Sequence, residues 1–176
     1  SDDDELAKKI HSHAGRIMSN YHNNRVAALT IVLAEMLEFG REFAEEMVQN
    51  AKNLARSLDT EGFSVVGKDR GYTMSHQVVL DVKELGGATK QLDTLESCNI
   101  MCSAEPLPQD FPDSTRNPSG LRLGTTDVAR LGMGEKEMRE IASFIRRSLI
   151  DQEDPRKVSS DVKAFIGQFR DVQYCF

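Results

Sequence analysis

The chain has 176 residues, 39% of them hydrophobic and 28% charged, and a net charge of −6. That is enough for one domain, or one domain with part of another, and the acidic balance excludes the basic face that non-specific nucleic-acid binding needs. No apolar run approaches the ~20 residues of a membrane span, and the acidic start Asp2-Asp3-Asp4-Glu5 does not read as a secretory signal.

Residues 4–12 read as a short helix, and His11 to Asn24 as a polar, irregular stretch whose Asn23 and Asn24 can cap the next helix. Residues 25–38 are apolar around nearly the whole circumference, the mark of a helix buried between partners. Gly40 is the expected bend before an amphipathic helix over 41–58, with Phe43, Met47, Ala51, Leu54 and Leu58 on one face. Phe63–Gly67 and His76–Val82 read as strands, the second with Val78, Leu80 and Val82 on one side. A helix carries Ala88, Leu92 and Leu95, and Asn99–Cys102 reads as a third strand. Residues 103–118 hold four of the five prolines and are expected to form an ordered loop. Gly120–Gly124 is the next strand.

Residues 134–149 form a helix with Met138, Ile141, Ala142, Ile145 and Leu149 in one stripe. Asp154-Pro155 then starts a last helix, with an N-cap and a proline at the first helical position. The predicted fold class is α+β: a small, mostly antiparallel sheet with helices on one face. Residues 41–176 make up this domain. Residues 1–40 read as a remnant of a larger neighbouring domain with an interdomain helical arm.

Within Ser119-Gly120-Leu121-Arg122-Leu123-Gly124-Thr125, one arginine sits in a short apolar run between glycines. A guanidinium there suits a carboxylate that needs a planar, two-pronged partner. The alternative is pairing with a structural Asp or Glu.

Taken together these stretches resemble serine hydroxymethyltransferase, a pyridoxal-phosphate enzyme of the aspartate-aminotransferase fold, over roughly residues 5–176. The resemblance is carried by Gln49-Asn50-Ala51-Lys52-Asn53-Leu54-Ala55, Gly62–Gly67, Ser75–Val82, Asn99-Ile100 and above all Ser119–Thr125. Asp154-Pro155 and the ending Tyr174-Cys175-Phe176 look like the archaeal-type branch. The family's cofactor lysine lies in a Thr-rich segment ending His-Lys, and no lysine here stands in such a context. The chain therefore resembles the C-terminal portion of such an enzyme, with no pyridoxal phosphate expected to bind it covalently.

The resemblance implies that Arg122 grips the substrate α-carboxylate. It implies exchange of serine and glycine, with hydroxymethyl transfer to tetrahydrofolate or a modified pterin. It also implies a homodimer or a large-domain partner, and no catalytic residue in this stretch. Ser19-Asn20-Tyr21-His22 falls where the family has a Gly-rich turn near the partner subunit's cofactor phosphate. Only His22 matches, a cofactor-binding candidate that reads more readily as a helix-start or interface residue, and Ile17 and Met18 lack the glycines that bring amides to a phosphate. Ser103-Ala104-Glu105 replaces the family's Asn-Lys-Asn before a proline, so pterin contacts do not carry over, while Pro108 is kept.

His76 is expected to be a hydrogen-bonded structural residue rather than a catalytic one, and His11 and His13 a solvated loop rather than a metal site. Cys98, Cys102 and Cys175 suggest reduced thiols in the cytoplasm. Two kinds of function are compatible with these residues: part of a transferase, inactive by itself, or a non-catalytic module whose apolar residues 25–38 pack on a partner.

Overall fold

The computed structural model describes residues 2–17, 22–110 and 117–176. It divides into two compact units, Ser1–Glu38 and Phe39–Phe176. The first holds helix α1 (Asp4–Ile17) and the opening turns of helix α2 (Asn23–Thr60), which runs on into the second unit. The polar stretch from His11 to Ile17 is thus helical. The expected pair of helices is a single helix of 38 residues, with Gly40 inside it. One glycine costs a helix interior about 1 kcal/mol, too little to break so long a run. Helix α2 begins at Asn23, so His22, with φ +44°, stands where a cap would.

The second unit contains a four-stranded antiparallel sheet in the order β1-β2-β4-β3. Its strands are β1 (Ser64–Val65), β2 (Gln77–Asp81), β3 (Ser103–Glu105) and β4 (Gly120–Gly124). Helices α3 (Ala88–Ser97), α4 (Thr126–Arg130), α5 (Glu135–Leu149) and α6 (Pro155–Ile166) complete the unit. In register, Val78 faces Leu123 and Leu80 faces Leu121. These four residues are buried in one core with Ala51, Leu54, Ala55 and Leu58 of α2 and Met138, Ala142, Ile145 and Leu149 of α5. Both helical sets recur every three or four residues, giving each helix one apolar stripe toward the sheet. Asp154 caps α6, its Oδ1 accepting from the Arg156 amide at 3.0 Å, with Pro155 first in the helix. The α+β architecture with one helix-covered sheet face is the one expected from sequence.

Two expectations fail around the third strand. Asn99–Cys102 is not a strand: Asn99, at φ +62°, ends α3 in the left-handed conformation, and the Ile100 amide returns to the Leu95 carbonyl at 2.9 Å. The strand lies just downstream at Ser103–Glu105, inside the segment expected to be a loop. It is an edge strand that stops before Pro106, which has no N–H to give a ladder. A single 3-10 turn comes next at Pro108–Asp110, and residues 111–116 of the expected loop lie outside the described residues. Helix α4 had no counterpart in the sequence reading.

The C-terminal segment closes on the same unit. Arg130 Nη1 donates to the Tyr174 carbonyl at 2.6 Å, Tyr174 packs on Phe43 at 5.2 Å between centroids, and Phe176 on Phe39 at 5.8 Å.

Candidate functional site

Five of the seven residues Ser119–Thr125, in and beside strand β4, are fixed by contacts that leave Arg122 to the open side of the sheet. Ser119 is buried and gives its amide and hydroxyl to Asp110, all three contacts at 2.8 Å. Gly120 lies so close to β3 that an added Cβ would stand 2.5 Å from the Glu105 carbonyl oxygen. Leu121 and Leu123 enter the core. Thr125 is fully buried: its amide donates to the His76 carbonyl at 3.0 Å, and its hydroxyl to the Met47 carbonyl of α2 at 2.8 Å. Gly124, exposed, carries no side chain to compete.

Period-two alternation then turns Arg122 away from the helices. Its row across the sheet is Val79–Arg122–Ser103, and the row beside it is Asp81–Gly120–Glu105. This open face is half-buried and polar. Arg122 Nη1 meets Glu105 Oε1 at 3.1 Å, with the two side chains 40% and 37% exposed. Ser103 Oγ donates to the same Oε1 at 3.2 Å. The arginine thus has an acidic neighbour and is still partly open to solvent.

The loop beyond β3 is held by Asp110. The Ser119 and Leu107 amides that point at its carboxylate keep the acid below the usual carboxylate range, the Ser119 contribution being the larger. Gln109 Nε2 also donates to Asp81 Oδ2 at 3.0 Å, tying the loop to β2. Sequence reasoning passed over Asp110 and Thr125. The only signal for Asp110 was an acid set in a proline-rich stretch. Asn50 of the quoted helix motif proves structural: its Nδ2 donates to the Met133 carbonyl at 2.7 Å, while its buried Oδ1 has no partner among the described residues.

The other candidates lie elsewhere. His22 is exposed, belongs to the first unit, and accepts the Arg25 and Val26 amides on its carbonyl. Met18 to Tyr21 lie outside the described residues. His76 is exposed, and among the described residues its backbone carbonyl rather than its ring makes the hydrogen bonds, in place of the expected hydrogen-bonded side chain. His11 and His13 stand on helix α1, not in a loop, and His13 Nδ1 lies 2.8 Å from the Lys9 carbonyl. Among the described residues no group of three His, Cys, Asp or Glu side chains is placed to hold a metal. All three cysteines are free, and burial pushes the Cys102 thiol up to about 11. No helix among the described residues is long and apolar enough to cross a membrane.

The sheet and its helix layer have the fold of a fold type I pyridoxal-phosphate enzyme. The solved L-threonine transaldolase of Pseudomonas fluorescens, in its internal aldimine state, superposes with a TM-score of 0.74 and 32% identity, over 83% of this chain and 33% of that one. The profile of the serine hydroxymethyltransferase family matches residues 3–145. Among curated relatives, the serine hydroxymethyltransferase of Korarchaeum cryptofilum is 49% identical over 91% of this chain and 37% of its own length. That of Pyrococcus furiosus is 44% identical over 100% of this chain and 42% of its own. The chain belongs to the serine hydroxymethyltransferase family. It spans about two fifths of the length of these relatives, and both are archaeal, as the Asp154-Pro155 start and the Tyr174–Phe176 ending led one to expect.

Proposed function

We propose that this chain supplies the small domain and the substrate-carboxylate clamp of a pyridoxal-phosphate-dependent serine hydroxymethyltransferase, with Arg122 as the clamp. The observation that carries this reading is the placement of Arg122. It is a half-exposed guanidinium on the open face of the sheet, in the segment that most specifically resembles the family. A guanidinium fork takes a carboxylate through two parallel charge-assisted bonds. Holding the amino acid at that end fixes which bond at its α-carbon is presented for cleavage.

The residues present suit the substrate side of such a centre and offer the cofactor neither a lysine in the family's His-Lys context nor a glycine-lined phosphate turn. Pyridoxal phosphate, when bound in the intact enzyme, serves as the electron sink. The one-carbon carrier is tetrahydrofolate or a modified pterin, whose contacts do not carry over to Ser103 and Glu105, which stand in place of the family's Asn-Lys-Asn. The intact protein works in the cytoplasm, where free thiols stay reduced.

By itself the chain is expected to be inactive. Titration with pyridoxal phosphate should give no saturable imine absorbance band, and borohydride should trap no adduct. A saturable adduct on a single lysine overturns this reading.

A second reading, association without catalysis, draws on the first unit. Val26, Leu29, Leu33 and Leu37 are exposed there, Leu37 by 90%. The apolar residues 25–38 then pack on a large domain or a second copy of the chain, as in a homodimer. Sedimentation at high concentration should show association, and a compact monomer counts against it.

A further inference from the structure

We infer that Glu105 is an internal occupant of the Arg122 fork: its carboxylate holds the guanidinium while the site is empty, and an incoming substrate carboxylate must displace it. This rests on the reading of Arg122 as a carboxylate clamp. Glu105 presents to Arg122 the same chemical group that the clamp is proposed to bind, at 3.1 Å.

The strand register builds the contact. Arg122 pairs with Ser103, and Glu105 pairs with Gly120, so the acid and the arginine occupy adjoining rows of one face. The bare Gly120 lets the end of β3 approach β4 closely. Ser103 Oγ also donates to the same carboxylate oxygen, at 3.2 Å.

The details of the pair suit a displaceable contact rather than a structural one. Its approach joins one guanidinium nitrogen and one carboxylate oxygen at 3.1 Å without a hydrogen bond between them among the described residues, and both side chains are more than a third exposed. A free carboxylate can take two parallel charge-assisted bonds from such a fork. An exposed pair of this kind shifts an equilibrium only a few-fold. Glu105 therefore keeps the fork oriented without blocking it, and it weakens ligands that reach only one prong more than those that reach two.

The test uses the full chain with ¹⁵N-labelled arginine, following the Arg122 Nε–Hε resonance while L-serine is added, with acetate as a second probe. Glu105→Gln should bind each about two- to five-fold more tightly than the parent, the range of an exposed ion pair. Glu105→Asp keeps the charge but falls one methylene short, and it should show most of the same gain. If Glu105→Gln titrates like the parent, the inference is wrong. If the gain appears in Glu105→Gln and not in Glu105→Asp, nearby charge rather than occupancy is responsible, and the inference is again wrong. Arg122→Lys should lose the two-pronged response. If it keeps the parent's affinity, the clamp reading itself fails, an outcome told apart from failure of Glu105 alone.

Discussion

The two faces of the sheet are made by the same strands and do opposite work. On the closed face Val78, Leu80, Leu121 and Leu123 are buried against α2 and α5. On the open face Val79, Asp81, Ser103, Glu105 and Arg122 are half-buried and, Val79 apart, polar or charged. Neighbouring residues of one strand thus belong to different physical regimes: burial drives one, and charge recognition the other. Stability and chemistry are separated here by the pleat, one residue apart, rather than by distance along the chain.

The sharpest check of that separation is a pair of adjacent substitutions. Leu121→Ala empties a fully buried site and should cost about 2–5 kcal/mol in denaturant unfolding, the transfer term plus the cavity. Arg122→Ala removes one side of an exposed ion pair and should change stability by no more than about 1 kcal/mol, while abolishing the response to L-serine. Similar stability losses at the two positions would show that the open face also carries the fold.

The closed face was legible in the sequence because burial leaves a periodic trace. Val78 and Leu80 alternate, and Met138, Ala142, Ile145 and Leu149 recur at helical spacing, so β2, β4 and α5 could be placed from pattern alone. Arg122 stood out for the opposite reason, as a charge interrupting such a pattern. What stayed hidden depended on partners distant in sequence. Strand β3 is polar because it is an edge strand facing the open side, and only its pairing with β4 identifies it. The apolar Ile100-Met101-Cys102 just before it drew the strand assignment away, although Met101 is exposed. Asp110 and Thr125 bind backbone groups from other elements, and composition holds no record of those bonds. The unbroken helix α2 was missed because a single glycine weighs more in a local reading than in a helix of 38 residues.

Asp110 provides a test at the border of the open face. Its carboxyl is held below the ordinary carboxylate range by the Ser119 and Leu107 amides. A folded-state value below the unfolded one adds stability that is fully present above the ordinary carboxylate range. That stability is lost as pH falls through the unfolded value and on to the lowered folded one. The melting temperature should therefore fall as pH drops into and below the ordinary carboxylate range, in part through this loop. Asp110→Asn should start lower and show a smaller drop, with faster amide exchange at Leu107 and Ser119 near neutral pH. An acid dependence identical in the two proteins would remove Asp110 from the account.

The smallest effect belongs to Val79, which sits directly between the two regimes. It shares a row with Arg122 but lies beside Val78, which is 2% exposed in the core. Val79→Thr keeps the branched shape that favours a strand and places a hydroxyl where water can reach it. Its expected cost is within about 0.5 kcal/mol, typical of an exposed site. The same replacement at Val78 puts the hydroxyl into the core without a partner and should cost about 1–3 kcal/mol. Because side-chain shape is the same at both positions, the difference between the two unfolding curves measures the facing alone. Equal costs at Val78 and Val79 would mean that the open face is covered in solution, by a second copy of the chain or by another part of the protein.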